Sequence, residues 1–246
     1  MSADQVAVIT GASSGIGAAA ANSLAAANFQ VVLGARREDR LRQVADAIGP
    51  AARTHRLDVT DAGSIEAFAA SVPRCDALIC NAGGALGVDP VVSGDDAQWR
   101  QMWESNVLGV VRTVRAFLPR LRESADARIV VVTSVAGHQV YPGGGGYTSA
   151  KHGAAVVADT LRLELLGESI RVIEIAPGMV QTEFSAVRLG DEQAAAKVYQ
   201  GLTPLTADDV AEAITWAVTR PAHMVVARMD LYPVDQATTR DVHRRE

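Results

Sequence analysis

The sequence predicts one α/β domain: a doubly wound parallel sheet with helices on both faces. Three observations support this. Short apolar, β-branched runs alternate with longer amphipathic stretches along the whole chain. Several of these runs lack a polar face, as in Ile129-Val130-Val131-Val132, which marks strands covered on both sides. A glycine-rich turn, Gly11 to Gly17, joins the first run to the first helical stretch.

Residues 5–10 read as the first buried strand and 15–27 as an alanine-rich helix. Residues 30–34 give the second strand, and the helix over 38–48 sets Leu41, Val44, Ala45 and Ile48 at core spacing. Residues 53–57, 64–71 and 76–80 continue as strand, helix and strand. A long helix is expected over 96–120, with a break at Gly109. Residues 128–133 make a central strand, 146–166 a helix, 170–176 a strand, 207–219 a helix and 224–231 the last strand. Right-handed crossovers between parallel strands then put helices on both faces. Residues 83–95 and 177–204 show weak periodicity, and irregular stretches of that length in a domain are usually functional. No linker or internal repeat divides the chain. Residues 1–246 therefore form a single domain, with 177–204 as a substrate-covering segment and 236–246 as a C-terminal tail.

With 48% hydrophobic and 21% charged residues the chain has the makeup of a globular protein, which excludes a disordered one. A net charge of −5 gives no footprint for nucleic acid or an anionic membrane. No apolar run is long enough to span a bilayer and no leader pattern follows Met1, so the expectation is a cytoplasmic protein. Cys75 and Cys80, at odd spacing in an apolar segment, should point to opposite faces of a strand; no disulfide and no metal site are expected.

The turn Thr10-Gly11-Ala12-Ser13-Ser14-Gly15-Ile16-Gly17 lies between strand and helix, where backbone N–H groups and the helix dipole receive a pyrophosphate. Its spacing is Gly-x-x-x-Gly-x-Gly rather than the commoner Gly-x-Gly-x-x-Gly. In this position it predicts a Rossmann-type dinucleotide site. A carboxylate at the end of the second strand would bind the 2′-hydroxyl of NAD, but the chain has Arg36 and Arg37 there. Guanidiniums suit a 2′-phosphate, so NADP is the expected cofactor; the alternative is a pair of arginines opening a solvated helix beside Glu38 and Asp39.

Tyr147 and Lys151 are four residues apart on a predicted helix, hence on one face. A phenol ordinarily loses its proton near pH ~10, and a neighbouring ammonium favours the phenolate. Ser134, upstream, can hold the oxygen that Tyr147 protonates or deprotonates. Such a trio suits alcohol–carbonyl interconversion, although a Tyr-x-x-x-Lys pair alone is common on solvated helices. The glycine run Gly143–Gly146 before Tyr147 is either a flexible turn or a place where substrate comes close to the backbone.

Thr10–Gly17, Asn81-Ala82-Gly83, Asn106, Ser134, Tyr147, Lys151 and Pro177-Gly178 occur in the order and spacing of the short-chain dehydrogenase/reductase family, which the chain resembles over residues 5–236. Residues 81–90, 177–188 and 205–235 further resemble the NADP-dependent 3-hydroxy acid dehydrogenases, which act on serine and allo-threonine; the His243-Arg244 ending is similar too. The resemblance implies Tyr147 as general acid/base, Lys151 as the group that lowers its pKa and bonds the nicotinamide ribose, and Ser134 as the substrate-positioning hydroxyl. Asn106 would hold a relay water behind Lys151. Gly11, Ser13, Ser14, Gly15, Ile16 and Gly17 would hold the phosphates. Asp58 and Val59 would meet adenine, and Asn81, Ala82 and Gly83 would border the cofactor. Pro177, Gly178, Val180 and Thr182 would fix the nicotinamide. Cys80 stands where the family often has a first asparagine, and is expected only to pack. Oligomers, dimers or tetramers, are also implied.

A small acid substrate needs a cation. Arg188, in the covering segment, is the candidate; the alternative is a surface arginine neutralising Asp191 or Glu192. Gln139 and Tyr141 are candidate pocket residues, with loop packing as the alternative. Competing functions are a 3-ketoacyl or general carbonyl reductase, disfavoured by Pro233-Val234-Asp235-Gln236 in place of Asp-Gly-Gly after the last strand, and a non-catalytic NADP-binding sensor, disfavoured by the presence of both Tyr147 and Lys151.

Overall fold

The computed structural model describes residues 5–245; residues 1–4 and 246, which the single-domain and tail assignments include, lie outside the described residues. The apolar runs become β1 (Val6–Thr10), β2 (Gln30–Ala35), β3 (Ala52–Arg56), β4 (Ala77–Cys80), β5 (Ala127–Val132), β6 (Ile170–Pro177) and β7 (Arg228–Leu231). They form a seven-stranded sheet, parallel throughout, in the order β3-β2-β1-β4-β5-β6-β7. The chain winds outward from β1 in one direction, then returns to β4 and winds in the other. Between β1 and β4 the carboxyl ends of the strands open a crevice, the usual ligand position in such sheets.

Alternation along the strands sorts side chains to two cores. Ala7 and Ile9 face α1 (Gly15–Ala26), α2 (Glu38–Ile48) and α9 (Ala207–Val218). Val8 faces the other way, toward α3 (Ala62–Ser71), α5 (Gly109–Arg122) and α6 (Gly145–Glu164). Phe68 and Phe117, both fully buried, meet edge to face in the second core, each contributing about 1.5–3 kcal/mol of burial. Side chains close the helix starts: Asp61 accepts from the Gly63 N–H at the start of α3, and Thr206 and Asp209 form a reciprocal box at the start of α9.

The structure departs from the sequence expectation in three places. The long helix does not break at Gly109. It runs as α4 (Asp96–Trp103), widens into a π turn over Glu104–Leu108, and resumes at Gly109 as α5. The covering segment, whose weak periodicity leaves room for short helices, holds two of them, α7 (Phe184–Leu189) and α8 (Glu192–Val198), and is no departure. The last strand pairs only from Arg228, because residues 224–227 precede its ladder with β6. Cys75 lies before β4 rather than on it, so the face argument does not apply; both cysteines are free and enter the same core. Burial pushes both thiols up, Cys80 to about 12.

Candidate active site

The crevice is a cavity of about 680 Å³ over the carboxyl ends of the strands. The phosphate turn forms one end of it. Gly11 has φ +69°, and a side chain there would press on Ala82 and Asn81. Gly17 allows the turn to close: a Cβ would stand 2.4 Å from the Gly11 carbonyl oxygen. The tight turn is pinned from β4, where Asn81 Nδ2 donates to the Thr10 carbonyl (3.0 Å) and the N–H groups of Asn81 and Ala82 donate to Thr10 Oγ1. Ser14 is the N-cap of α1 but makes no side-chain cap, so the helix start is not closed by its own cap. Gly11, Ser13, Ser14, Gly15 and Ile16 line the cavity; Gly17 does not, and acts through packing.

Arg36 and Arg37 line the same end. Arg37 donates through Nε to Ser13 Oγ (3.3 Å), through Nη2 to Ser14 Oγ, and through Nη1 to Glu183 (2.9 Å). Arg40 also reaches Glu183, and hydrogen bonds from Arg37 and Arg40 hold that carboxyl below the usual range. Asp58 and Val59 line the cavity beside them; Asp58 Oδ1 accepts from both the N–H and the hydroxyl of Thr60. Burial pushes the Asp58 carboxyl up, but the Thr60 bonds, with Arg36 and Arg56 nearby, leave it below its ordinary value. Asn81, Ala82, Gly83, Pro177, Gly178, Val180 and Thr182 also line the cavity, Thr182 against Gly15 of the phosphate turn.

Tyr147 and Lys151 are buried on the inner face of α6, with Lys151 Nζ 5.9 Å from the centre of the tyrosine ring. Burial raises the Tyr147 phenol well above its ordinary range, opposed by a hydrogen bond with Ser134 and by the charge of Arg188. Lys151 Nζ donates to the Val132 carbonyl (3.0 Å), and burial brings it down to about 8 against the opposing charge of Glu174. Ser134 caps the short 3₁₀ turn Val135–Gly137 by accepting from the Ala136 N–H, and donates to the Pro177 carbonyl (3.2 Å).

The two irregular stretches meet over this trio. Arg188 Nε donates to the Gly87 carbonyl (3.0 Å), and the Gly87 N–H donates to the Arg188 carbonyl (3.1 Å). Arg188 Nη1 donates to the Tyr141 hydroxyl (2.7 Å), and its guanidinium carbon lies 5.5 Å from the ring centres of both Tyr141 and Tyr147. Neither Asp191 nor Glu192 takes it; Asp191 caps α8 instead.

Two expectations need correction. Gln139 does not line the cavity: its amide donates to the Tyr232 hydroxyl and its oxygen accepts from Thr239 N–H, which ties it to the tail. Asn106 stands outside the lining too, a position compatible with the relay water expected of it behind Lys151. Its side chain, on the π turn, binds the backbone of Gly84 in both directions and the Met102 carbonyl, and a side chain at Gly83 would strike its Oδ1 at 2.4 Å. The glycine run is crowded by protein, since side chains there would meet Val88, Tyr141, Val91 and Met102 within 2.4–2.6 Å. Sequence reading did not single out Phe184, whose ring lies 5.4 Å from that of Tyr147, or Arg240, which lines the cavity from the tail. Neither follows any motif spacing. Glu183, between the arginines and the covering segment, also passed unnoticed.

A crevice with a pinned phosphate turn at one end and a buried tyrosine–lysine pair at the other defines a dinucleotide-dependent oxidoreductase. The chain matches the short chain dehydrogenase family over residues 5–193 and belongs to it. It is similar to sulfoacetaldehyde reductase 2 of Chromohalobacter salexigens, 40% identical over 94% of this chain and 95% of that protein. It is 35% identical to the NADP-dependent 3-hydroxy acid dehydrogenase of Salmonella typhi, over 94% of this chain and 96% of the relative. Among solved structures, the closed form of serine dehydrogenase complexed with NADP+ matches with a TM-score of 0.93 and 35% identity, covering 98% of this chain and 100% of the other. Among the described residues no helix is long and apolar enough to cross a membrane.

Proposed function

We propose that this protein is an NADP-dependent dehydrogenase that interconverts a small 3-hydroxy acid, of the serine, allo-threonine or 3-hydroxypropionate kind, with its 3-oxo acid. The observation that carries this reading is the guanidinium of Arg188 standing over the Tyr147 ring, with Nε and Nη1 bonded to protein and no bond from Nη2 among the described residues. A cation fixed beside the acid/base group selects a substrate with an anionic tail.

The cradle fits the cofactor. The start of α1 and the hydroxyls of Ser13 and Ser14 face the cavity for a pyrophosphate, and Arg36 and Arg37 face it for a 2′-phosphate. Asp58 and Val59 would border adenine. The NADP in the serine dehydrogenase structure and the name of the Salmonella relative support this choice. The nicotinamide, when bound, supplies the hydride donor or acceptor.

In the oxidising direction Tyr147 takes the hydroxyl proton of the substrate while Ser134 holds the same oxygen. Lys151 keeps a positive charge near the phenolate and is placed to bond the cofactor ribose. Arg188 pairs with the carboxylate and sets which carbon faces the hydride acceptor. Because the side chain of Asn106 is committed to Gly84 and Met102, a relay water behind Lys151 would rest on the backbone of the π turn. The 2-amino-3-oxo acid formed from serine or allo-threonine loses carbon dioxide without help from a protein group.

A sulfonated aldehyde is the second reading, favoured by the 40% identity to sulfoacetaldehyde reductase 2; the same guanidinium would serve a sulfonate. The test is a panel with NADP and NADPH: serine, allo-threonine, 3-hydroxypropionate, sulfoacetaldehyde and a neutral short ketone. Preference for the carboxylates supports the proposal, and preference for the sulfonate supports the second reading. Preference for the neutral ketone makes the protein a general carbonyl reductase, and NADPH binding without any turnover makes it a sensor. The implied oligomer fits the exposed Val156 and Leu163 of α6 and Leu166 just after it, and gel filtration tests it.

A further inference from the structure

β6 carries one acid in an apolar strand, Glu174, which is 1% exposed. A buried carboxylate is costly unless its charge is used or paired. Both donors that reach it go to the same oxygen: Thr133 Oγ1 at 2.6 Å and His138 Nε2 at 2.8 Å. The other oxygen, Oε2, is buried without a hydrogen-bond partner among the described residues. Across the ladder Glu174 is in register with Arg228 of β7, whose Nη1 approaches His138 Nδ1 at 3.4 Å and whose Nε pairs with Asp230. A guanidinium only donates, so Nδ1 accepts and Nε2 carries the hydrogen given to Glu174, a tautomer assigned from the network. His138 is partly exposed, while the carboxylate it holds is not. From α6, the buried ammonium of Lys151 donates to the carbonyl of Val132 (3.0 Å), the residue next to Thr133, so the ammonium and the Thr133-bound carboxylate are held at the same end of β5.

We infer that Glu174, held by Thr133 and His138, is a positioning residue for catalysis: its carboxylate is the counter-charge that keeps Lys151 an ammonium beside Tyr147. This rests on the reading of Tyr147 and Lys151 given above. Burial by itself drives Lys151 toward the neutral amine, and Glu174 opposes that. Without the carboxylate the proton shared by the pair would settle on the tyrosine oxygen, leaving a phenol and a neutral amine, a form unable to take the substrate proton.

The experiment is the pH dependence of kcat/KM for alcohol oxidation with NADP, in the wild type and in Glu174→Gln, Glu174→Asp and Thr133→Val, with thermal melting and NADPH affinity as folding checks. Glu174→Gln should lower the plateau about tenfold and move the limiting ionisation about one pH unit toward acid. Glu174→Asp, which keeps the charge, should retain the wild-type profile. Thr133→Val, which keeps the shape and removes the shortest donor, should shift the profile in the same direction by less. A plateau loss in Glu174→Gln with an unmoved profile overturns the inference, since packing alone would do that. If Glu174→Gln does not fold, a wild-type profile in Thr133→Val overturns it. Tyr147→Phe separates the two readings: turnover surviving there refutes the assignment of the acid/base, whereas its loss alongside a normal Glu174→Gln profile refutes only the role of Glu174.

Discussion

The guanidinium carbon of Arg188 stands 5.5 Å from the centre of the Tyr147 ring, although the two residues sit on different helices, α7 and α6. Arg188 is held there by the Tyr141 hydroxyl and by a two-way staple to Gly87, so α7 and the loop after β4 are closed on each other. The charge lowers the cost of ionising the buried phenol, after the larger opposing effect of burial and the contribution of Ser134. Under the proposed function, one cation serves both the substrate tail and the acid/base group.

Arg188→Ala should raise KM for carboxylate or sulfonate substrates roughly 10- to 100-fold, the worth of a charge-assisted hydrogen bond. KM for a neutral ketone should change by less than about threefold, because the lost pairing does not concern it. Steady-state kinetics on the two substrate types decides the matter; equal losses on both would refute the pairing. Arg188→Lys should recover only part, since an ammonium cannot keep the Gly87 and Tyr141 bonds while offering a third donor in the same plane.

Tyr147→Phe should lower kcat/KM by about 10²–10⁴, the usual contribution of a positioned acid/base. The ring lies against Phe184 and under Arg188, contacts that Phe preserves. NADPH affinity, read by fluorescence, should therefore stay within about threefold. Loss of cofactor binding together with turnover would mean that the hydroxyl shapes the cavity rather than moving the proton.

Arg37→Ala should raise the Kd for NADP about 10- to 100-fold and change that for NAD far less. Arg37 also touches Ser13 and Ser14, so some loosening of the phosphate turn is expected. NAD carries the same pyrophosphate and serves as the internal control. Matching losses for both cofactors would show that Arg37 supports the turn and does not read the 2′-phosphate.

The parts legible in sequence were those with a local cause. Tyr147 and Lys151 share a face because of helical spacing, the phosphate turn shows its glycines, and the strands show their apolar runs. What was not legible depends on tertiary partners. The π turn at Glu104–Leu108 leaves the apolar period of the helix almost intact and is held by Asn106 reaching across to Gly84. Gln139 looked available for substrate until Tyr232 and Thr239, from the far end of the chain, engaged it. Glu174 did leave a signal, a lone acid inside an apolar strand, but its meaning needed Lys151 beside it.

Asp76 should govern acid stability. It is 1% exposed, and its carboxylate accepts from the Val6 N–H (2.8 Å), from Arg74 Nε (2.7 Å) and Nη2 (3.1 Å), and from the Ser124 hydroxyl (2.7 Å). It therefore ties the start of β1, the start of β4 and the end of α5. Burial pushes its pKa up, but these donors outweigh that and leave it below the ordinary carboxylate value. A carboxyl whose folded pKa is depressed stabilises the fold above its unfolded pKa of about 3.9, and that contribution is lost as pH falls through the folded value. Asp76→Asn places an amide N–H group among donors and removes the charge, at a cost of about 3 kcal/mol at pH 7, or roughly 10 °C in Tm for a domain of this size. Melting curves from pH 7 downward should show the gap between wild type and Asp76→Asn narrowing only below about pH 4. A gap that stays constant to pH 2 would mean that the loss comes from packing and geometry, with the charge of Asp76 contributing nothing.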